Sequence, residues 1–163
     1  MKRPSLLPPA LALLAVLPAC SRPPAPAAAG HPRPETDYDL VGAMSSLQRW
    51  TDKLGRAAAA GNWPLADFYL HEIEEATEDL AKAGVVYHEQ PVSQLTGLML
   101  EPAVESLEQA VKAQDAALFR TRYPAFVQTC NACHQATGYG FLRVTEPEPS
   151  PNPWNQDFAP SAP

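Results

Sequence analysis

The feature that most limits what this chain can become is a pentapeptide late in the sequence, Cys130-Asn131-Ala132-Cys133-His134. On a helix, cysteines three apart fall on one side of a single turn, and here a histidine follows directly behind the second. That is the pattern covalent haem attachment requires. Each thiol can form a thioether with one haem vinyl group, and His134 then stands against the macrocycle as the axial iron ligand. The rest of the chain has to supply a pocket for one haem c. The same cysteine spacing also serves a redox disulfide or half of a zinc site. Zinc would want further ligands, and the only other cysteine is Cys20, far away in a different context. A thioredoxin-like site would want a strand leading into a helix, and no such strand is evident.

The sequence has 163 residues and 19 prolines, most of them before residue 35 or after residue 146. A compact helical domain over residues 36–145 is therefore expected between two irregular ends. Residues 1–19 follow the export pattern, with Lys2 and Arg3, an apolar stretch from Leu6 to Leu17, and then small residues. That stretch is too short to span a bilayer. Leu17-Pro18-Ala19-Cys20 resembles a bacterial lipobox, although proline is not the usual residue at its position, and Cys20 would become the lipidated first residue of a periplasmic, membrane-anchored protein. An ordinary signal peptide cut nearby would instead leave Cys20 as an incidental thiol. Residues 20–35 are rich in proline and alanine and read as an extended tether, in which His31 is solvated. With two cysteines assigned to the haem motif and one to export, no structural disulfide is expected.

The formal charge is −6, and loss of Lys2 and Arg3 with the leader leaves ten basic residues against eighteen acidic ones. That balance excludes nucleic-acid binding and suits either plain solubility or a redox partner with a basic face.

Helical periodicity organises the middle of the chain. Leu40, Met44, Leu47, Thr51, Leu54 and Ala58 form one stripe, with Asp37 and Asp39 in its first turn and Gly61 at its end. Asn62 caps a second helix whose buried stripe is Leu65, Tyr69, Ile73, Ala76 and Leu80. His71 and Glu75 are spaced to chelate a metal but read as surface residues, since the second histidine of a zincin motif is missing. A third helix spans residues 91–113, and Pro102 should bend or split it. Asp115 caps the fourth, in which Pro124 should introduce a kink or a restart just before the haem motif. Gly138 and Gly140 end it, and Tyr139 to Val144 could fold back across a haem edge. The tail, residues 146–163, has six prolines and is expected to be disordered, with Trp154 and Phe158 as its only sizeable anchors.

Four amphipathic segments joined by short connections specify an all-α, antiparallel four-helix bundle with a disordered tether and tail. A late Cys130-x-x-Cys133-His134 on the last of four helices resembles the class II c-type cytochromes, the cytochrome c-prime family. The resemblance covers residues 36–138, specifically at the haem motif and only architecturally elsewhere. It implies that the residue facing the open side of the iron comes from the first helix, where Met44 matches. Met99 is the only other methionine of the mature chain, and an empty sixth position is the third option. Two departures stand out: Gln135-Ala136-Thr137-Gly138 replaces the aromatic-basic pair common after the histidine, and Leu40 stands where a basic residue is often found. Arg143, with Arg120 and Arg122 behind it, is the candidate propionate contact. Dimerisation is expected by that resemblance alone.

The function these readings imply is one-electron transfer with redox protein partners, and no enzymatic activity. The alternative is a five-coordinate haem that binds nitric oxide or carbon monoxide for sensing or scavenging. A peroxidase would need a distal His and Arg pair, which the helical seam lacks. Without haem, the chain would be a structural helical lipoprotein.

Overall fold

The computed structural model describes residues 37–149 and 153–160. Their helices form four arms: α1 (Leu40–Ala59), α2 (Trp63–Lys82), a third arm built from α3 (Val92–Leu95), a π-helical turn (Thr96–Leu100) and α4 (Glu101–Lys112), and α5 (Ala116–Ala136). No strand occurs among the described residues, where Tyr87 and Gln90 pair as an isolated bridge. Each short connection reverses the chain, so that α1 packs on α2, α2 on the third arm, the third arm on α5, and α5 back on α1. The described residues are thus an all-α bundle. Cys20, His31 and the expected export and tether segments lie outside them.

Polar residues at the helix starts set the boundaries. The Asp39 carboxylate accepts the Gly42 N–H at 3.0 Å, so it caps α1 rather than sitting inside its first turn. Asn62 accepts from Leu65 N at 3.2 Å, with Pro64 where no intrahelical donor is needed. Asp115 accepts from both Ala117 and Leu118 at the head of α5. These caps satisfy N–H groups that a helix start otherwise leaves open.

The prolines inside helices behave differently from each other. Ahead of Pro102 the third arm widens into the π turn, and the Glu101 N–H reaches the Thr96 carbonyl. Proline has no N–H and its ring crowds the carbonyl four residues back, so a wider turn relieves both problems. At Pro124, in contrast, α5 continues as one helix, and the expected restart does not occur. Buried Tyr123, Phe126 and Val127 hold the helix on the core, and the carbonyl released by Pro124 belongs to Arg120, which is exposed to water.

Two apolar clusters fill the bundle. The larger includes Leu54, Leu70, Ile73, Val104, Leu107, Phe119, Tyr123 and Phe126. The smaller, Leu40, Leu80, Val85 and Val92, closes one end. Met44 packs against both. The second helix buries a broader face than its expected stripe: Ala66, Leu70 and Thr77 are buried, whereas Leu65 and Ala76 are only partly so. The helix has neighbours on two sides, which demands an apolar arc wider than one stripe. Where α1 meets α5, Gly55 permits close approach, since a Cβ there would lie 2.7 Å from the Tyr123 ring and 2.8 Å from Pro147.

The described part of the C-terminal tail is docked rather than disordered. Arg56 donates to the Glu148 carbonyl at 2.8 Å, and Asn62 to the Ala159 carbonyl at 2.9 Å. Tyr69 donates to the Gln156 side chain, and the Trp154 indole N–H to Asp52, both at 2.7 Å. The Lys53 ammonium lies over the rings of Tyr69 and Trp154, and Phe158 packs on the main core. Proline-rich composition denies the tail regular structure, but a few aromatic and polar side chains suffice to fasten an extended segment.

Candidate functional site

The last two turns of α5 carry Cys130, Cys133 and His134. Both cysteines are free and partly buried, and Cys130 packs against the main core. Burial pushes the Cys130 thiol up to about 12, with Cys133 nearby adding to the effect, and burial also raises Cys133. Both groups are therefore neutral thiols near neutral pH. A reactive C-x-x-C is arranged in the opposite sense, with a depressed thiolate favoured by the positive end of a helix. Here the pair sits at the negative, C-terminal end. Among the described residues no three His, Cys, Asp or Glu side chains gather closely enough to hold a metal ion.

His134 is held by the chain that follows it. α5 stops at a Schellman turn in which Gly138 takes φ 82°, the Gly138 N–H reaches the Gln135 carbonyl, and the Tyr139 N–H reaches the His134 carbonyl at 2.7 Å. The backbone then folds back along the helix end and places the Leu142 carbonyl 2.7 Å from His134 Nδ1. A carbonyl can only accept, so Nδ1 carries a proton, and in the neutral ring that makes Nε2 the nitrogen with the lone pair. A bare Nε2 backed by an Nδ1–H to carbonyl bond is the arrangement a metal-ligating histidine uses.

Helix geometry locates what lies across from this motif. The Tyr123 hydroxyl donates to the Thr51 carbonyl at 2.7 Å, which sets α5 against α1. Seven residues forward along α5 is Cys130, and seven back along α1 is Met44. Seven residues make about two turns and roughly 10 Å of rise, so both steps return to the same faces at the same level. α1 and α2 reverse near Gly61, which brings Thr77 to about that level as well. Thr77 is buried, and its hydroxyl has no hydrogen-bond partner among the described residues. The π turn, which carries partly buried Met99, packs on both α2 and α5. A widened helical turn and an unpaired buried hydroxyl thus flank the region opposite the cysteines. Such departures from regular packing tend to collect at functional sites.

The remaining sequence candidates separate clearly. Arg143 is exposed on the returning loop, between Leu142 and Val144. Arg122 is engaged elsewhere, donating to the Ser106 carbonyl and the Gln109 side chain between α4 and α5, and Arg120 is exposed on the upper half of α5. His71 and Glu75 form an exposed pair 3.4 Å apart. His88 belongs to a cluster the sequence reading did not foresee, in which Tyr87, His88 and Phe141 surround Tyr139. The neighbouring Tyr87 phenol pushes Tyr139 up to about 12. Also unforeseen were Asn131, Thr77 and the Leu142 carbonyl. Sequence holds no signal for a backbone carbonyl, whereas the Gly138 helix stop hinted that the chain would turn back.

The donor set fits a covalently attached haem: two neutral thiols one turn apart, an imidazole presenting Nε2, and an apolar wall with a thioether at the matching level. Among the described residues, no helix is long and apolar enough to cross a membrane. No protein-family model, curated protein or solved structure matches this chain.

Proposed function

We propose that this chain is an exported c-type cytochrome of the class II, cytochrome c-prime-like kind, carrying one electron on a haem joined to Cys130 and Cys133. The observation that carries this reading is the Nδ1–H of His134 bonded to the Leu142 carbonyl, one residue after paired neutral thiols. The haem would supply a reversible one-electron iron couple. His134 would bind and orient the iron through Nε2, and Met44 would face it from α1 with a soft thioether that favours the reduced state. Met44 is partly buried between the two apolar clusters, which would limit the access of water to it. With His134 and Met44 both holding it, the iron would keep similar surroundings in both oxidation states, which would suit electron exchange with a protein partner. Tethering through Cys20 would hold the domain at a membrane outside the cytoplasm.

The unpartnered hydroxyl of Thr77 favours a second reading, in which the sixth position is open and a small neutral gas binds there beside a hydrogen-bond donor. Spectra of the ferrous protein with and without carbon monoxide separate the two. Sharp low-spin bands indifferent to the gas are the expected result. A broad high-spin spectrum that shifts on adding the gas would put nitric oxide or carbon monoxide binding first.

A further inference from the structure

Asn131 fills a position between the cysteines that haem attachment leaves free, yet its side chain makes two specific bonds. Its Nδ2 donates to the Val144 carbonyl at 2.9 Å, and its Oδ1 accepts the Val144 N–H at 2.8 Å. One donor and one acceptor on the same backbone residue fix which way the amide faces, because a flipped amide would oppose like groups. Val144 also packs against the main core.

The returning loop is thus fastened at its two ends, Tyr139 at its start also packing against Tyr87 and His88. At its start the Schellman turn ties Gly138 and Tyr139 to the end of α5, and at its end Asn131 clamps Val144. Between them the Leu142 N–H bonds to the Tyr139 carbonyl at 2.8 Å, while the Phe141, Leu142 and Arg143 side chains are exposed and contribute little hold of their own. The carbonyl that meets His134 Nδ1 is two residues from the clamp. A free loop there would let that carbonyl turn to water, and neutral imidazole would revert to its ordinary preference for a proton on Nε2, the nitrogen that iron needs bare.

We propose that Asn131 is a positioning residue for His134, holding the Leu142 carbonyl in place and so fixing the tautomer and orientation of the imidazole. The consequence for iron rests on the haem reading, but the tautomer can be read without haem. In the unloaded full-length chain, nitrogen-15 NMR at a pH where the ring is neutral should find His134 protonated on Nδ1. Asn131→Ala should move the tautomer ratio toward Nε2 about tenfold, the size of one net hydrogen bond. Asn131→Asp keeps an acceptor for the Val144 N–H but sets a carboxylate against the Val144 carbonyl, so it should shift the ratio in the same direction.

In the haem-loaded protein, loss of the carbonyl makes His134 a weaker donor. Asn131→Ala should then raise the reduction potential, with both cysteines still attached. Wild-type tautomer and wild-type potential in a folded Asn131→Ala protein would overturn the proposal. If that variant does not fold, an unshifted tautomer in Asn131→Asp overturns it equally. A chain with Nδ1-protonated His134 that never takes up haem would sink the functional reading and leave the positioning role standing.

Discussion

Tyr123 on α5 donates its hydroxyl to the carbonyl of Thr51 on α1 at 2.7 Å, and this single bond sets the level at which the two helices face each other. Two turns further on, the helical repeat puts Met44 and Cys130 at matching levels of their helices. Met44→Ala should therefore convert a low-spin ferrous spectrum into a high-spin one that responds to carbon monoxide, while Met99→Ala leaves it low-spin. Optical spectra of the two variants check this, and an unchanged Met44→Ala spectrum would clear Met44 of ligation.

The same tyrosine makes stability depend on alkaline pH. Burial, with Asp52 and Glu146 nearby, raises the Tyr123 phenol above its ordinary value of 10.0. Above about pH 10 the unfolded chain releases that proton while the folded chain keeps it, so stability falls as pH rises. Tyr123→Phe should cost about 1 kcal/mol near neutrality through the lost hydrogen bond. That cost should shrink above pH 10, because the variant has no phenol to ionise. Urea titrations at neutral and alkaline pH measure both. A cost that grows with pH would contradict the assignment.

Gly55 tests how closely α1 and α5 approach. A Cβ there would fall 2.7 Å from the Tyr123 ring and 2.8 Å from Pro147. Neither the ring nor the docked tail can move without breaking other contacts, so Gly55→Ala should destabilise by about 1–3 kcal/mol despite the better helix propensity of alanine. A variant at least as stable as the wild type in denaturant would show that the helices are farther apart.

Thr77→Val removes a buried hydroxyl that has no partner. In the unloaded chain this should raise stability by about 1 kcal/mol, since an unmet donor costs roughly that much or more. The melting temperature reports it directly. A loss of stability would mean that the hydroxyl already has a partner in solution.

Much of the architecture could be read from residue pattern because it rests on local rules. Asn62 and Asp115 announced their helices as capping side chains, and Gly61 and Gly138 marked the stops, both at positive φ. The motif residues Cys130, Cys133 and His134 stand on one helix, as their spacing required. The rest depended on tertiary context. Of the kink or restart expected at Pro124, the restart does not occur, because aromatic anchors on both sides of it keep α5 one helix. Trp154 and Phe158, the two anchors the tail's sequence offers, do fasten it, because Asp52, Lys53 and Tyr69 meet the tail across distant sequence. The Asn131 clamp needed a loop path that only the folded backbone reveals.

The most direct test is mass spectrometry, with a haemochrome spectrum, on the chain produced alongside a haem c maturation apparatus. The account predicts one haem added per chain, mapped to the peptide holding Cys130 and Cys133, and lost from that peptide when both are changed to alanine. A colourless product of unmodified mass with free thiols at both positions would contradict it.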